Sequence, residues 1–206
     1  MLDLALVLAL SQSCAPSVAP QTLAAIAHVE SRFDPLAIGV NRNGARPRRA
    51  RDGADAARTA RILLDGGANL DLGLAQINSD NLAWLGLTVE DAFDPCLNLR
   101  AAATVLRAGY RPSGETPEHR QAALRVALSR YNTGDARRGF RNGYVAKVEQ
   151  AAITLNLAEA LLPPADPPPD LVPAAPETLS PPPPPWDVFA RGRTRVAFST
   201  SLDRSR

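Results

Sequence analysis

Pro20-Gln21-Thr22-Leu23-Ala24-Ala25-Ile26-Ala27-His28-Val29-Glu30-Ser31-Arg32-Phe33 is the stretch that decides how this chain folds and what it can do. Leu23, Ile26 and Ala27 stand seven, four and three residues before Glu30, so in a helix all four share one face. Pro20 suits a first turn. Asp34 precedes Pro35 and is biased away from the helical region, so the spacing predicts a helix over 20–33. A carboxylate then stands among core side chains in the last turn, near the negative end of the helix dipole. Desolvation and dipole both disfavour the anion and raise its pKa. An acid that stays protonated near neutral pH can protonate a leaving oxygen. The alternative is a glutamate that turns to the helix rim and pairs with an arginine such as Arg32.

Outward from this helix, residues 1–162 read as one globular α+β domain, mainly helical with a small β element. Helical patterns run over 2–13, 97–109, 117–130 and 144–162, with a shorter one near 79–86. Ala37-Ile38-Gly39-Val40-Asn41 and Ala68-Asn69-Leu70-Asp71-Leu72 read as short strands or extended turns. Asn43-Gly44 and Asp65-Gly66-Gly67 bound them, and Ala54 to Leu64 allows a helical turn or two between. Residues 163–185 hold twelve of the nineteen prolines and read as a polyproline linker, about 70 Å long if extended. Residues 186–206 form a short basic and aromatic tail, with Trp186 and Phe189, that is either disordered or a docking peptide. Its deletion with the linker is expected to leave folding intact.

Composition excludes several functions. A net charge of +2 over 206 residues makes no demand for nucleic acid or a membrane surface, and no basic motif interleaved with aromatics supports nucleic acid. The arginine-rich stretch from Arg42 to Arg61 reads as a solvated loop, or as a short-range attraction for acidic peptides. Two cysteines without a CxxC pair and two histidines predict neither a metal site nor a cofactor. Spacing leaves Cys14 and Cys96 open as buried free thiols or as a disulfide, which implies an oxidising compartment. The apolar run Leu4 to Leu10 is too short to span a bilayer and lacks a preceding basic region. It reads as the first helix, so an export signal is not evident.

Three further motifs follow Glu30-Ser31 in order: Gly73-Leu74-Ala75-Gln76-Ile77-Asn78, Arg130-Tyr131-Asn132-Thr133-Gly134, and Gly143-Tyr144-Val145. This ordered set resembles the lysozyme-like lytic transglycosylases, and most of all the conjugation and type IV secretion branch, over roughly residues 6 to 150. Ala-Ile-Gly-Val-Asn at 37–41 and Phe93-Asp94-Pro95-Cys96-Leu97-Asn98-Leu99 match that branch too. The resemblance implies that Glu30 is the catalytic acid and that Ser31 orients it. Gln76, Asn78, Tyr131, Asn132 and Tyr144 line the substrate groove, and Cys14 pairs with Cys96. Two departures stand out. Ala75 replaces a frequent methionine, which predicts a wider groove there, and Arg130 replaces a frequent alanine.

The implied reaction cleaves peptidoglycan between N-acetylmuramic acid and N-acetylglucosamine with one carboxylate and leaves a 1,6-anhydro end. Glycosidases ordinarily use two carboxylates. Asp71, just before Gly73, reads as a turn residue; the alternative is the second carboxylate of a hydrolysing muramidase. For Asn78 and Asn132 the plain reading is a turn or cap residue, and for Tyr131 and Tyr144 a core aromatic. The expected setting is the periplasm, with glycan strands as substrate and type IV secretion subunits as partners of the tail. A non-catalytic, glycan-binding assembly factor of that apparatus is the competing reading.

Overall fold

The computed structural model describes residues 1–42 and 45–157, which form a mainly helical domain with a three-stranded sheet on one side. The linker and tail expected at 163–185 and 186–206, and the domain boundary at 162, lie outside the described residues.

Helix α1 (Leu4–Cys14) starts where the Asp3 carboxylate accepts the Leu6 N–H at 2.8 Å, a side-chain cap. Helix α2 (Pro20–Ser31) follows, with Pro20 in its first turn. Leu23, Ile26 and Ala27 are fully buried. The helix stops at Ser31 rather than at Phe33. Arg32 and Phe33 both take left-handed φ, at 53° and 64°, and the Phe33 N–H reaches back to the Ala27 carbonyl. That turn closes the helix two residues before the Asp34-Pro35 pair acts. Packing of α2 against both α1 and the helix Tyr144–Thr154 makes it the spine of the domain.

Strands β1 (Ile38–Arg42), β2 (Asn69–Leu72) and β3 (Ile77–Asn78) pair antiparallel in that order. Between β1 and β2 lies α3 (Gly53–Asp65), a full helix where only a turn or two was expected; Asp52 caps it by accepting the Asp55 N–H at 2.8 Å. The connection from β2 to β3 turns at Gly73. A Cβ there would stand 2.1 Å from the Ala92 carbonyl oxygen and 2.5 Å from the Asn98 amide nitrogen, so only glycine fits. Buried Asn98 organises the turn, donating to the carbonyls of Leu72 and Ala92 and accepting the Ala75 N–H at 2.7 Å.

A 3-10 turn at Ser79–Asn81 leads into the short helix α4 (Leu82–Leu85). Helices α5 (Pro95–Gly109) and α6 (Pro117–Thr133) both open on proline behind a capping Asp94 or Thr116. Helix α7 (Arg138–Arg141) is a single turn with no apolar stripe to announce it. Helix α8 (Tyr144–Thr154) is shorter than the expected 144–162. Leu155 caps it, and Asn156 turns left-handed with φ 50°, letting the Leu157 N–H bond the Ala152 carbonyl. Cys14, ending α1, and Cys96, in the first turn of α5, form a disulfide with Cα atoms 5.4 Å apart. No helix among the described residues is long and apolar enough to cross a membrane.

Candidate active site

Glu30 is the penultimate residue of α2 and reaches a groove of about 910 Å³ walled by the sheet, α4 and the C-terminal end of α6. Burial of its carboxyl raises the pKa from 4.5 to about 7. A hydrogen bond from Tyr144 opposes that rise, and the Asp71 charge adds to it. The Tyr144 hydroxyl, at the start of α8, donates to Glu30 Oε1 at 2.5 Å. Tyr131 on α6 lies close enough to feel the charge of Glu30, and its hydroxyl donates to the Ala75 carbonyl at 2.7 Å. Burial first, then the neighbouring Glu30 charge, holds both phenols well above their usual pKa. Both therefore remain neutral donors wherever the acid titrates.

A polar network faces the acid from the sheet. Asp71 lies in the middle of β2, paired with Gly39 on one side and Asn78 on the other. It is a strand residue and not the turn residue its place before Gly73 suggested, because the turn begins after Leu72. Its carboxylate accepts the Asn41 amide at 2.8 Å and the Asn78 amide at 2.7 Å. Asn69 exchanges hydrogen bonds with Asn78 and accepts a third from Asn41. Strand alternation puts Asn69 and Asp71 on one face. Asn69 does not stand among the groove residues expected from the sequence, and Asp71 stands there only as the alternative second carboxylate; the period of two along β2 is the signal that marks both.

The remaining expected residues have distinct surroundings. Asn132 lines the groove and accepts the Asn142 amide at 2.9 Å. Gln76, held at φ 50°, turns its amide to the carbonyls of Gly73 and Ala37, and its Oε1 packs against Gly39, where a Cβ would stand 2.8 Å away. The Ser31 hydroxyl donates to the Leu74 carbonyl at 2.6 Å and accepts the Asp34 N–H, fastening the end of α2 to the turn after β2. Any influence on Glu30 therefore runs through the backbone. Ala75 is fully buried and does not line the groove, so its small size does not widen it. Arg130 lines the groove and donates to the Gly109 carbonyl at the end of α5. Trp84, half exposed on α4, stands at the groove's edge. Among the described residues no group of histidine, cysteine or acidic side chains is arranged to hold a metal.

A second cavity, about 740 Å³, opens on the other side of Glu30 and Gln76, which line both. Its walls are the end of α2, strand β1 and residues 46–50, and they include Arg32, Arg46, Arg48 and Arg49.

An acid with a pKa near 7, two neutral phenols and an open, amide-lined groove suit cleavage of a sugar polymer. Residues 8–154 match the family described as the transglycosylase SLT domain. The chain belongs to the transglycosylase SLT domain family. This SLT domain is 52% identical over 145 residues to protein virB1 of Rhizobium radiobacter, a match covering 70% of this chain and 60% of that relative. It is 50% identical over 142 residues to protein virB1 of Agrobacterium fabrum (strain C58 / ATCC 33970), covering 69% and 57%. To the type IV secretion system protein virB1 of Brucella suis biovar 1 (strain 1330) the identity is 42% over 162 residues, covering 76% and 68%. The SLT domain protein thus spans about three fifths of the length of the first two relatives. No solved structure matches it.

Proposed function

We propose that this protein is a peptidoglycan lytic transglycosylase that cleaves the β-1,4 bond between N-acetylmuramic acid and N-acetylglucosamine. The observation that carries the reading is Glu30, an acid with a pKa of about 7 held at 2.5 Å by the Tyr144 hydroxyl at the junction of two cavities. Glu30 donates its proton to the glycosidic oxygen as the bond from that oxygen to the muramoyl C1 breaks. The substrate's own N-acetyl group stabilises the cation at C1. The Glu30 carboxylate, now a base, takes the proton of the muramoyl 6-hydroxyl, and O6 closes on C1 to give the 1,6-anhydro ring. No water is consumed, and Glu30 ends protonated as it began.

In this reading Tyr144 steadies the ionised intermediate, and neutral Tyr131 fixes the turn at Ala75 beside the acid. Asn78, Asn132 and the amide network bond sugar hydroxyls and N-acetyl groups, while Gln76 and Ser31 hold the backbone of the groove wall. One observation favours a second reading: Asp71, in the same groove, could turn the reaction toward hydrolysis as the second carboxylate. Mass spectrometry of muropeptides released from purified sacculi decides. Anhydromuramoyl ends support the transglycosylase, and reducing ends heavier by one water support the muramidase.

The relatives named for type IV secretion support a role in opening the wall locally for such an apparatus, with the tail as the contact to its subunits. The Cys14–Cys96 disulfide fits an oxidising periplasm. Complementation of secretion by Glu30→Gln separates enzyme from assembly factor: a working Glu30→Gln strain would favour the assembly factor.

A further inference from the structure

We propose that the second cavity is a subsite for the carboxylates of the peptide stem, read by Arg46 and Arg32. The inference rests on the glycan-cleaving reading and concerns which part of the wall polymer the groove selects.

The two cavities share Glu30 and Gln76, so both border the acid at which a strand is cut. They differ in chemistry. The first carries amides and the acids Asp71 and Asp80, together with Arg42, Arg130 and Arg138. In the second, the charged residues are Glu30, Asp34 and four arginines. Acids and arginines are equal in number in the first cavity, whereas arginines outnumber acids two to one in the second. Neutral sugar hydroxyls and N-acetyl groups make no demand for such an excess of positive charge. Planar guanidinium forks match carboxylates, and stem peptides are the carboxylate-bearing part of peptidoglycan.

Arg32 caps α2, and the loop carrying Arg46, Arg48 and Arg49 is anchored. Arg49 pairs with Asp34 at 3.1 Å, and Arg48 with Asp55 at 3.5 Å. Asp55 also accepts the Arg51 backbone N–H at 3.1 Å and contacts the Arg51 and Arg58 side chains. Those contacts occupy Arg48, Arg49, Arg51 and Arg58. Among the described residues Arg46 and Arg32 have no ion pair, and both are exposed on the cavity's rim. Asp71 favours positive charge on the first side, which puts the muramoyl ring that becomes cationic there. The leaving strand, with the stem of its next muramoyl unit, then enters the arginine side.

The test uses full-length Glu30→Gln protein, which holds glycan without cutting it, and three forms of one tetrasaccharide. One form bears free-acid stems, one has stems amidated at every carboxyl, and one has stems removed. Calorimetry at low and high salt measures each. The free-acid form is expected to bind about tenfold tighter than the other two, since each exposed ion pair is worth up to about fivefold. High salt should erase the difference. Adding Arg32→Gln and Arg46→Gln should also erase it while the stem-free form binds as before. Equal binding of all three forms at low salt would overturn the subsite and leave the glycan reading intact. Binding of none would overturn the glycan reading, and the subsite with it.

Discussion

The two sides of the groove at Glu30 are built on different physical principles. On the amide side, Asn41, Asn69, Asp71 and Asn78 hold one another across three strands, so their hydrogen bonds exist before any substrate arrives. On the other side, a loop of exposed arginines is pinned through Asp34 and Asp55 and acts mainly through charge. A pre-ordered polar wall loses little entropy on binding and discriminates by geometry. A charged rim attracts from farther away, discriminates by sign, and weakens with salt. Glu30 stands where the two meet, and its chemistry depends on the ordered side more than on the charged one.

The largest expected effect comes from removing that meeting point. Glu30→Gln should cut sacculus cleavage by about a thousandfold, the scale of a lost general acid. It should also change stability in a pH-dependent way. Glu30 binds its proton more tightly when folded, with a pKa of about 7 against 4.5. Between those values the folded state holds more protons than the unfolded one, so wild-type stability falls as pH rises through the window. Above about pH 7, Glu30→Gln should exceed wild type by about 3 kcal/mol, and below pH 4.5 the two should converge. Chemical denaturation at both ends measures this, and equal stability across the range would mean the acid is not desolvated.

Asp71→Asn breaks the ordered side directly. It should lower cleavage by about tenfold, the worth of one lost hydrogen bond to a charged group at about 1.5 kcal/mol. The Asp71 charge raises the Glu30 pKa, so its removal should move the basic limb of the pH–rate profile down. Tyr144→Phe should do the reverse. The phenol donates to the carboxylate and favours the anion, so losing it moves the basic limb up, with a several-fold loss of rate. Limbs that move together in the two variants would refute the assigned roles. Trp84→Ala should have the smallest effect. Losing the exposed ring at the edge should raise KM by a few-fold at unchanged kcat, the worth of one stacking contact.

Much of the ordered side is only half legible in the sequence. Glu30 stands out because helical period places it on a face with Leu23, Ile26 and Ala27, and local periodicity needs no tertiary information. The strands show for the same reason. Tyr144 can be matched to a groove residue, but its bond to an acid 114 positions away depends on how α8 packs against α2. Asp71 reads wrongly because Gly73 makes its neighbourhood look like a turn, whereas pairing with Gly39 and Asn78 keeps it in a strand. Arg32 and Phe33 end α2 early through left-handed conformations that their side chains do not announce. The short α7 carries no periodic signal to read.

The disulfide has a consequence for survival among proteases. Cys14 and Cys96 close a ring 82 residues apart, and α2, the sheet, α3 and the arginine loop all lie inside it. Arg48 and Arg49 are exposed on that loop and are natural targets for a trypsin-like protease, while Pro47 shields Arg46. A cut there leaves Glu30 on one piece and Asp71, Tyr131 and Tyr144 on the other, yet both pieces remain covalently one molecule. Nicked protein should migrate as a single band without reductant, divide into two with it, and keep cleaving sacculi only while the bridge is intact. A scaffold of this kind tolerates damage at an exposed loop.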